Sequence, residues 1–306
     1  MTGEDDDGRI AAIIFPVTRH PSPVTPMPRR SARRTKKRTN RTSRLRLPKL
    51  WPGAQARRSW CRALRRAPAG VQVAVGATLF IALWLATNGI YQVVLKPSEL
   101  FFPVSGTLYK TPTETWRSYE RIFRKHSTSA ISPHFLAALA QVEGSGNPVV
   151  RTYWRWSLTG HPFKVYRPAS SAVGMYQTTD GTFALARRYC VHDNVVVADG
   201  PWNDFQSCWF NDLYTRVVPS HAVEMTSAYL DRQVAGTLAR QAIRNPTSRQ
   251  KLELAAIIHL CGAGAGERYA RRGLRLRPGD RCGDHDVQRY LTKVDAMRRI
   301  FLRLDR

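Results

Sequence analysis

The longest uncharged stretch of the chain predicts a membrane-spanning helix. Residues 71–95 contain no Asp, Glu, Lys, Arg or His, and about 20 apolar residues of helix suffice to cross the hydrocarbon core of a bilayer. A cluster of arginines lies just before the stretch, whereas Lys96 follows it directly. By the positive-inside rule, this asymmetry keeps the N-terminus in the cytoplasm and exports the chain beyond residue 96. We therefore predict one transmembrane helix over residues 70–95, in preference to a buried helix of a soluble domain or a cleaved signal peptide.

Beyond this stretch, apolar residues recur mostly at helical spacing. The spacing predicts helices over residues 116–127, 133–143, 182–190, 224–242, 251–260 and 286–304. One valine-rich run, residues 195–198, is a candidate for a short strand or a loop. Residues 96–112 are predicted to form a short stalk, and residues 113–306 are long enough for one well-cored domain. The sequence thus predicts a mainly α protein.

The N-terminal region is far more basic than the rest of the chain. The 306 residues include 48 Lys and Arg against 22 Asp and Glu. Residues 1–69 hold 18 of the basic and 4 of the acidic side chains, a net charge of +14, which leaves +12 for residues 70–306. Because residues 16–53 are rich in Pro, Ser, Thr and Arg, they cannot bury enough apolar surface to offset their ordering entropy. We predict a disordered cytoplasmic tail over residues 1–69 that binds anionic inner-membrane lipids, with nucleic acid as the less favoured partner.

Four cysteines lie in the part of the chain that is predicted to be exported: Cys190, Cys208, Cys261 and Cys282. In an oxidising compartment an even number of cysteines favours disulfides, and four cysteines allow three pairings. We favour Cys190 with Cys208 and Cys261 with Cys282, since each pair closes a modest loop. The spacing of Cys and His residues fits no zinc site, and no metal or cofactor is expected.

A predicted helix from Pro133 onwards ends in a carboxylate. Ser132 is a favourable N-cap, and Pro133 suits the first turn, where its missing N–H would be unpaired anyway. The apolar stripe of this helix is made by Phe135, Leu136, Leu139 and Val142. Gly144 and Gly146 end the helix and leave Glu143 in its last turn, where the macrodipole disfavours an anion by about 0.3–1 kcal/mol. Added burial is needed before Glu143 can act as a general acid.

Three further motifs follow the Glu143 helix along the chain. One is the tetrad Gly174, Met175, Tyr176 and Gln177, followed by Thr179. Another is an apolar helix over residues 252–266 that ends in H-L-C-G-A-G, and the last is the aromatic Tyr290. With Glu143, Ser145 and the Asn-Pro pair at 147–148, these motifs resemble the lytic transglycosylase family with the goose-lysozyme-like (SLT) fold. The chain departs from the family in having Gly144 where a Ser usually follows the catalytic Glu, and in lacking the common A-Y-N.

The resemblance implies a lysozyme-like domain that cleaves peptidoglycan. It implies that Glu143 protonates the bond between N-acetylmuramic acid and N-acetylglucosamine and then, as a base, helps to close a 1,6-anhydro ring. It also implies that the substrate is bound by Ser145, Gly174, Met175, Tyr176, Gln177 and Tyr290. His259, on an apolar helix, is expected to be a core histidine.

Two alternative functions stay open. A hydrolytic lysozyme-type muramidase needs a further carboxylate to direct water, for which Asp180, Asp199 and Asp204 are candidates. A non-catalytic glycan-binding or secretion-assembly protein is the other. The expected localisation is the bacterial inner membrane, with a single pass and a periplasmic domain. Expected partners are peptidoglycan strands, which a basic domain attracts, and cell-wall or secretion-machinery proteins.

Overall fold

A computed structural model describes residues 54–306 apart from residues 202 and 205, and it shows a mainly helical protein. The chain divides into two compact units, Met1–Arg65 and Arg66–Arg306. The helices are α1 Ala54–Arg66, α2 Ala69–Leu95, α3 Phe102–Ser105, α4 Pro112–Lys125, α5 Pro133–Gly144, α6 Asp180–Ala186, α7 Pro219–Arg240, α8 Ser248–Cys261, α9 Ala263–Arg271 and α10 Val287–Leu304. The strands are β1 Trp154–Trp156, β2 Tyr166–Pro168, β3 Tyr189–His192, β4 Val195–Ala198, β5 Arg281–Cys282 and β6 His285–Asp286. The predicted mainly α class is confirmed.

The end of the region predicted to be disordered is helical. Helix α1 covers Ala54–Arg66, which corrects the prediction of disorder for that part of residues 1–69. Its sequence is rich in Ala and Arg, which favour helix, and it lies between Pro52 and Pro68 in the sequence. The disorder predicted for residues 1–53 lies outside the described residues.

Helix α2 matches the predicted membrane span. It is 27 residues long, its most apolar window has a mean hydropathy of 1.9, and none of that window is buried. Its outward side chains are apolar, with Phe80 71% exposed. The helix is therefore long and apolar enough to cross a membrane, as the uncharged run predicts.

The segment predicted to be a stalk is folded and packed. Pro97–Phe101 form a 3₁₀ helix that leads directly into α3. Within it Glu99 is only 5% exposed, and its carboxylate accepts hydrogen bonds from Arg151 Nη1 and Trp154 Nε1, both at 2.9 Å. A buried carboxylate with two such donors ties this segment to the domain, so residues 97–105 are part of it and not a free-standing stalk.

Helix α5 lies at the centre of the domain core. Ser132 caps it, with its hydroxyl accepting from the Phe135 N–H, and residues 135–140 are all buried. Helix α10 packs along α5, and α4, α7 and α8 complete the core around them. The predicted helix at this position is confirmed, and it carries Glu143 at its C-terminal end.

Within the described residues the six strands form three antiparallel hairpins. The sequence indicates one of these strands. The run at 195–198 is strand β4, but its partner β3 occupies the end of the helix predicted over residues 182–190, which stops at Ala186. Asp193 and Asn194 join the two strands with positive φ values of 48° and 65°. Two such residues make the two-residue turn that suits a right-handed twisted hairpin, and this turn overrides the helical spacing.

Both predicted disulfides are present. Cys190 on β3 is bonded to Cys208, and Cys261 at the end of α8 is bonded to Cys282 on β5. In each pair the Cα atoms are 5.5 Å apart. The first bridge ties the β3–β4 hairpin to the loop that follows it, and the second ties the β5–β6 hairpin to α8. Short strands alone contribute little stability.

A buried carboxylate and the histidine beside it make the stability of the domain depend on pH. The Glu224 carboxylate, 6% exposed, accepts from the Val191 N–H at 3.1 Å and the Tyr214 hydroxyl at 2.8 Å. His126 Nδ1 lies 3.6 Å from it. Burial lowers the pKa of His126 below its ordinary value, with Glu224 opposing the shift and the charges of Lys125 and His221 adding to it. The folded protein therefore holds His126 neutral where the unfolded chain would protonate it.

We expect the free energy of unfolding to fall on acidification from about pH 7.5 to about pH 5.5, because the unfolded state binds more protons in this window. Denaturant titrations at the two pH values measure this fall. In the His126→Gln variant the fall is smaller. A wild-type protein that gains stability on acidification over this window contradicts the assignment.

Candidate active site

Glu143 sits in the last turn of α5 and is partly shielded. Its side chain is 19% exposed, and the hydroxyl of Tyr290 donates to its Oε1 at 2.5 Å. Tyr290 lies in the first turn of α10, which begins at this point because the Asp286 side chain caps it by accepting from the Arg289 N–H. The contact between α5 and α10 thus brings together two residues 147 positions apart in sequence.

A histidine stands beside the same carboxylate oxygen. His259 Nε2, near the C-terminal end of α8, lies 4.0 Å from Glu143 Oε1. The Tyr176 ring meets the imidazole edge to face, with the centroids 6.4 Å apart. Tyr290 and His259 both approach Oε1 of Glu143. The sequence predicts a core histidine at 259, and the structure places its side chain, 11% exposed, beside Glu143. Its position in the H-L-C-G-A-G motif is the sequence signal for this site.

The Tyr290 phenol is fixed as a hydrogen-bond donor. Burial raises its pKa well above the ordinary value, and the neighbouring Glu143 carboxylate raises it further. The hydroxyl therefore stays neutral at any pH at which the protein works. A neutral phenol at 2.5 Å orients the carboxylate and partly balances its charge.

The small size of Gly144 lets the 174–177 turn pack directly against the end of α5. A Cβ on Gly144 would lie 2.8 Å from the carbonyl oxygen and 2.9 Å from the Cα of Met175. These distances are shorter than a side chain tolerates next to backbone. The absence of the family's Ser at this position is therefore a packing requirement in this chain, and the tetrad 174–177 lies against the helix end that carries Glu143.

The structure corrects the substrate-binding roles of three tetrad residues. Met175 is 0% and Tyr176 1% exposed, and the Tyr176 hydroxyl donates to the Leu136 carbonyl at 3.1 Å, so both side chains belong to the core. Gly174 has φ +80°, and a Cβ there would overlap the carbonyl oxygen of Arg216. Close approach of protein backbone, and not of a glycan, explains the glycine.

Gln177 and Ser145 shape the loops around Glu143. Gln177 has a positive φ of 47°, and its Nε2 donates to the carbonyls of Val150 at 3.2 Å and Gly174 at 2.9 Å. Its amide oxygen is an acceptor that a sugar hydroxyl or acetamido N–H can use. Ser145 is the left-handed C-cap of α5, and its carbonyl accepts from the Lys110 N–H at 2.9 Å. Ser145 therefore ends α5, and the Gln177 amide ties the 174–177 turn to the Val150 carbonyl.

The three carboxylates considered for a hydrolytic mechanism are engaged elsewhere. Asp180 pairs with Arg216 at 2.8 Å, and Asp199 lies 3.5 Å from Arg188. Asp204 Oδ1 accepts from a backbone N–H two residues on, at 2.9 Å. None of these contacts involves Glu143, whose neighbours are a phenol and an imidazole.

The described residues contain no group of three or more His, Cys, Asp or Glu side chains placed to hold a metal ion. A cavity of about 440 Å³ lies between α8, α9 and α10, away from Glu143. Its charges are paired, since Arg249 contacts Glu253 at 2.8 Å and Arg298 contacts Asp295 at 2.9 Å.

Comparisons with protein-family models, curated proteins and solved structures find no match to this chain. The structure itself brings four of the predicted stretches together: the end of α5, the 174–177 turn, the end of α8 and the start of α10. Glu143 contacts Tyr290 and His259, and the turn packs against the neighbouring Gly144. The case for a function rests on this arrangement.

Proposed function

We propose that the protein is a membrane-anchored peptidoglycan lytic transglycosylase with a lysozyme-like domain. The observation that carries the proposal is the half-shielded Glu143, whose Oε1 is held by Tyr290 at 2.5 Å. Most glycosidases need two carboxylates at a defined separation, whereas the described neighbours of Glu143 in this site are a phenol and an imidazole. A reaction that needs one carboxylate suits such a site.

In the first step, protonated Glu143 donates its proton to the glycosidic oxygen of N-acetylmuramic acid. The bond from C1 to that oxygen breaks, and the N-acetylglucosamine chain leaves as an alcohol. The 2-acetamido group of the muramic acid assists from the opposite face by attacking C1. We assign to the amide oxygen of Gln177, whose Nε2 is bound to two backbone carbonyls, the role of orienting the substrate's acetamido N–H or a hydroxyl.

In the second step, Glu143, now a carboxylate, removes the proton from the C6 hydroxyl of the same sugar. The C6 oxygen attacks C1 and closes the 1,6-anhydro ring while the bond from C1 to the acetamido oxygen breaks, and Glu143 regains the proton with which it began. One residue thus acts as acid and then as base, and no water enters the product. Tyr290 keeps the carboxylate in one orientation through both proton transfers.

The Tyr290→Phe variant tests this role of the phenol. A hydrogen bond to a charged group contributes about 1.5–3 kcal/mol, so we expect the rate of muropeptide release to fall by about tenfold or more. The ring keeps its packing, and the melting temperature stays close to that of the wild type. Tyr269→Phe is the matched control, because the Tyr269 hydroxyl donates to Glu253 at 3.0 Å on another face of the domain. Equal losses in both variants would refute a specific role for Tyr290.

Membrane anchoring completes the proposal. Helix α2 crosses the inner membrane with the basic N-terminal region in the cytoplasm, and the domain beyond it lies in the periplasm. Two disulfides suit that oxidising compartment. The net charge of +12 over residues 70–306 attracts a polyanionic wall.

Incubation of purified sacculi with the full-length protein in detergent micelles tests the proposal. Mass spectrometry of the released muropeptides distinguishes the candidate functions. We expect anhydro-muramic acid ends. Reducing ends would assign a hydrolytic muramidase, and intact sacculi that retain bound protein would assign a glycan-binding role.

A further inference from the structure

The hairpin formed by β1 and β2 packs against the membrane helix. We refer to residues 153–168 as the aromatic hairpin. Trp156 stacks on Trp84 of α2 with the ring centroids 6.3 Å apart, and Phe163 meets Tyr91 at 5.5 Å. The aromatic hairpin therefore packs against the last turns of α2.

Two amide side chains of α2 point into this contact. Asn88 Nδ2 donates to the Tyr166 carbonyl at 2.8 Å, and Gln92 Nε2 donates to the Phe163 carbonyl at 2.6 Å. Asn88 and Gln92 are 1% and 5% exposed on a helix whose other faces are open. In an apolar surrounding an unpaired amide N–H is costly, so the hairpin carbonyls satisfy one donor group on each of these two side chains.

The rise of the helix fixes the depth of the contact. The uncharged run starts at Val71, and a hydrocarbon core of about 30 Å takes about 20 residues, which ends near residue 90. Trp84 then lies about 9 Å inside the outer edge of the hydrocarbon, and Asn88 about 3 Å inside. The Trp156 ring centroid lies 6.3 Å from that of Trp84, which brings the aromatic hairpin to the outer part of the hydrocarbon.

The surface of the aromatic hairpin has the composition of an interfacial element. Tyr153 is 73%, Trp156 65% and Leu158 103% exposed. Basic side chains flank them, with Arg155 exposed and Lys164 half-buried. Trp and Tyr favour the headgroup level of a bilayer, and Lys and Arg there interact with lipid phosphates.

We propose that the aromatic hairpin inserts into the outer-leaflet interface of the bilayer that α2 crosses, as a second membrane contact of the periplasmic domain. This inference rests on the proposed membrane anchoring, and it does not depend on the catalytic activity. Together with the buried Glu99 contacts, it holds the domain at one height and orientation above the membrane. The site around Glu143 then works on glycan within a fixed reach of the lipid surface.

Photo-cross-linking of the full-length protein tests the insertion. A benzophenone amino acid replaces Leu158 in the hairpin, Phe80 in α2 or Val195 at the start of β4. The protein is then reconstituted into vesicles of phosphatidylethanolamine and phosphatidylglycerol. Val195 is the matched control because it is also exposed, at 64%, but belongs to a different hairpin. The neighbouring Asn194 contacts Ser127, just after the C-terminal end of α4. Mass spectrometry counts the peptides that carry a lipid adduct.

We expect adduct yields at position 158 to be within about threefold of position 80 and at least about tenfold above position 195. Adducts at position 80 with only control yields at position 158 would overturn the insertion of the hairpin and leave the membrane anchor intact. Control yields at position 80 would overturn the anchor and the insertion together. Neither outcome touches the muropeptide test in micelles, so failure of this inference is separable from failure of the catalytic proposal.

Discussion

The Glu143→Gln variant is expected to lose nearly all muropeptide release, by a factor of at least about 10³. The amide has nearly the shape of the carboxylic acid, and its oxygen still accepts from the Tyr290 hydroxyl, which lies at 2.5 Å in the wild type. It can neither donate a proton to the glycosidic oxygen nor remove one from C6. Because both proton transfers need the same residue, no other side chain of the site restores the activity.

Initial rates of muropeptide release from sacculi measure this loss, and thermal unfolding checks that the fold is kept. Glu120→Gln is the matched control, since Glu120 is a surface residue that pairs with Arg124 at 2.9 Å. We expect it to retain full activity, because an exposed pair contributes little to stability. Activity of Glu143→Gln within tenfold of the wild type would rule out Glu143 as the proton donor.

The Gly174→Ala variant is expected to be strongly destabilised. Gly174 adopts φ +80°, and an added Cβ would overlap the Arg216 carbonyl oxygen and lie 3.3 Å from the Pro148 carbonyl oxygen. The left-handed backbone costs about 1–2 kcal/mol for a residue with a Cβ, and the overlap with backbone costs about 1–3 kcal/mol more. We expect the free energy of unfolding to fall by about 2–5 kcal/mol. Activity falls as well, since the displaced turn no longer packs on the end of α5.

Gly181→Ala is the control for Gly174→Ala. A Cβ at Gly181 meets nothing within 4 Å, and the residue lies in helix α6. Alanine there should be neutral or stabilise the protein by about 0.5–1 kcal/mol. Denaturant unfolding of both variants gives the comparison. A Gly174→Ala protein as stable as Gly181→Ala would show that the turn has another conformation.

Local sequence signals predict the elements that need no distant partner. The uncharged run specifies α2, and a hydroxyl cap, a proline and a pair of glycines specify α5, which carries Glu143. Strand β3 is different, because its residues continue the helical spacing of α6. The backbone hydrogen bonds to β4 across the Asp193–Asn194 turn decide its conformation. A turn with two positive φ values is visible in sequence only as an Asp-Asn pair.

The sequence predicts which residues lie near the candidate site, but it predicts the roles of only some of them. Met175 and Tyr176 lie where the motif places them, yet both are buried, because Gly144 lets their turn press against α5. His259 and Tyr290 meet Glu143 from helices more than 100 residues further along the chain. Spacing within a helix cannot show such a meeting, which depends on how α8 and α10 pack on α5.

Digestion of sacculi in heavy-oxygen water tests the central claim, that one carboxylate and the sugar's own hydroxyl complete the reaction. In a hydrolytic reaction solvent oxygen enters the new reducing end, whereas closure of the anhydro ring uses the C6 oxygen of the substrate. We predict that the muropeptides released by the full-length protein carry anhydro ends without the heavy isotope. Muropeptides with labelled reducing ends would contradict the single-carboxylate account.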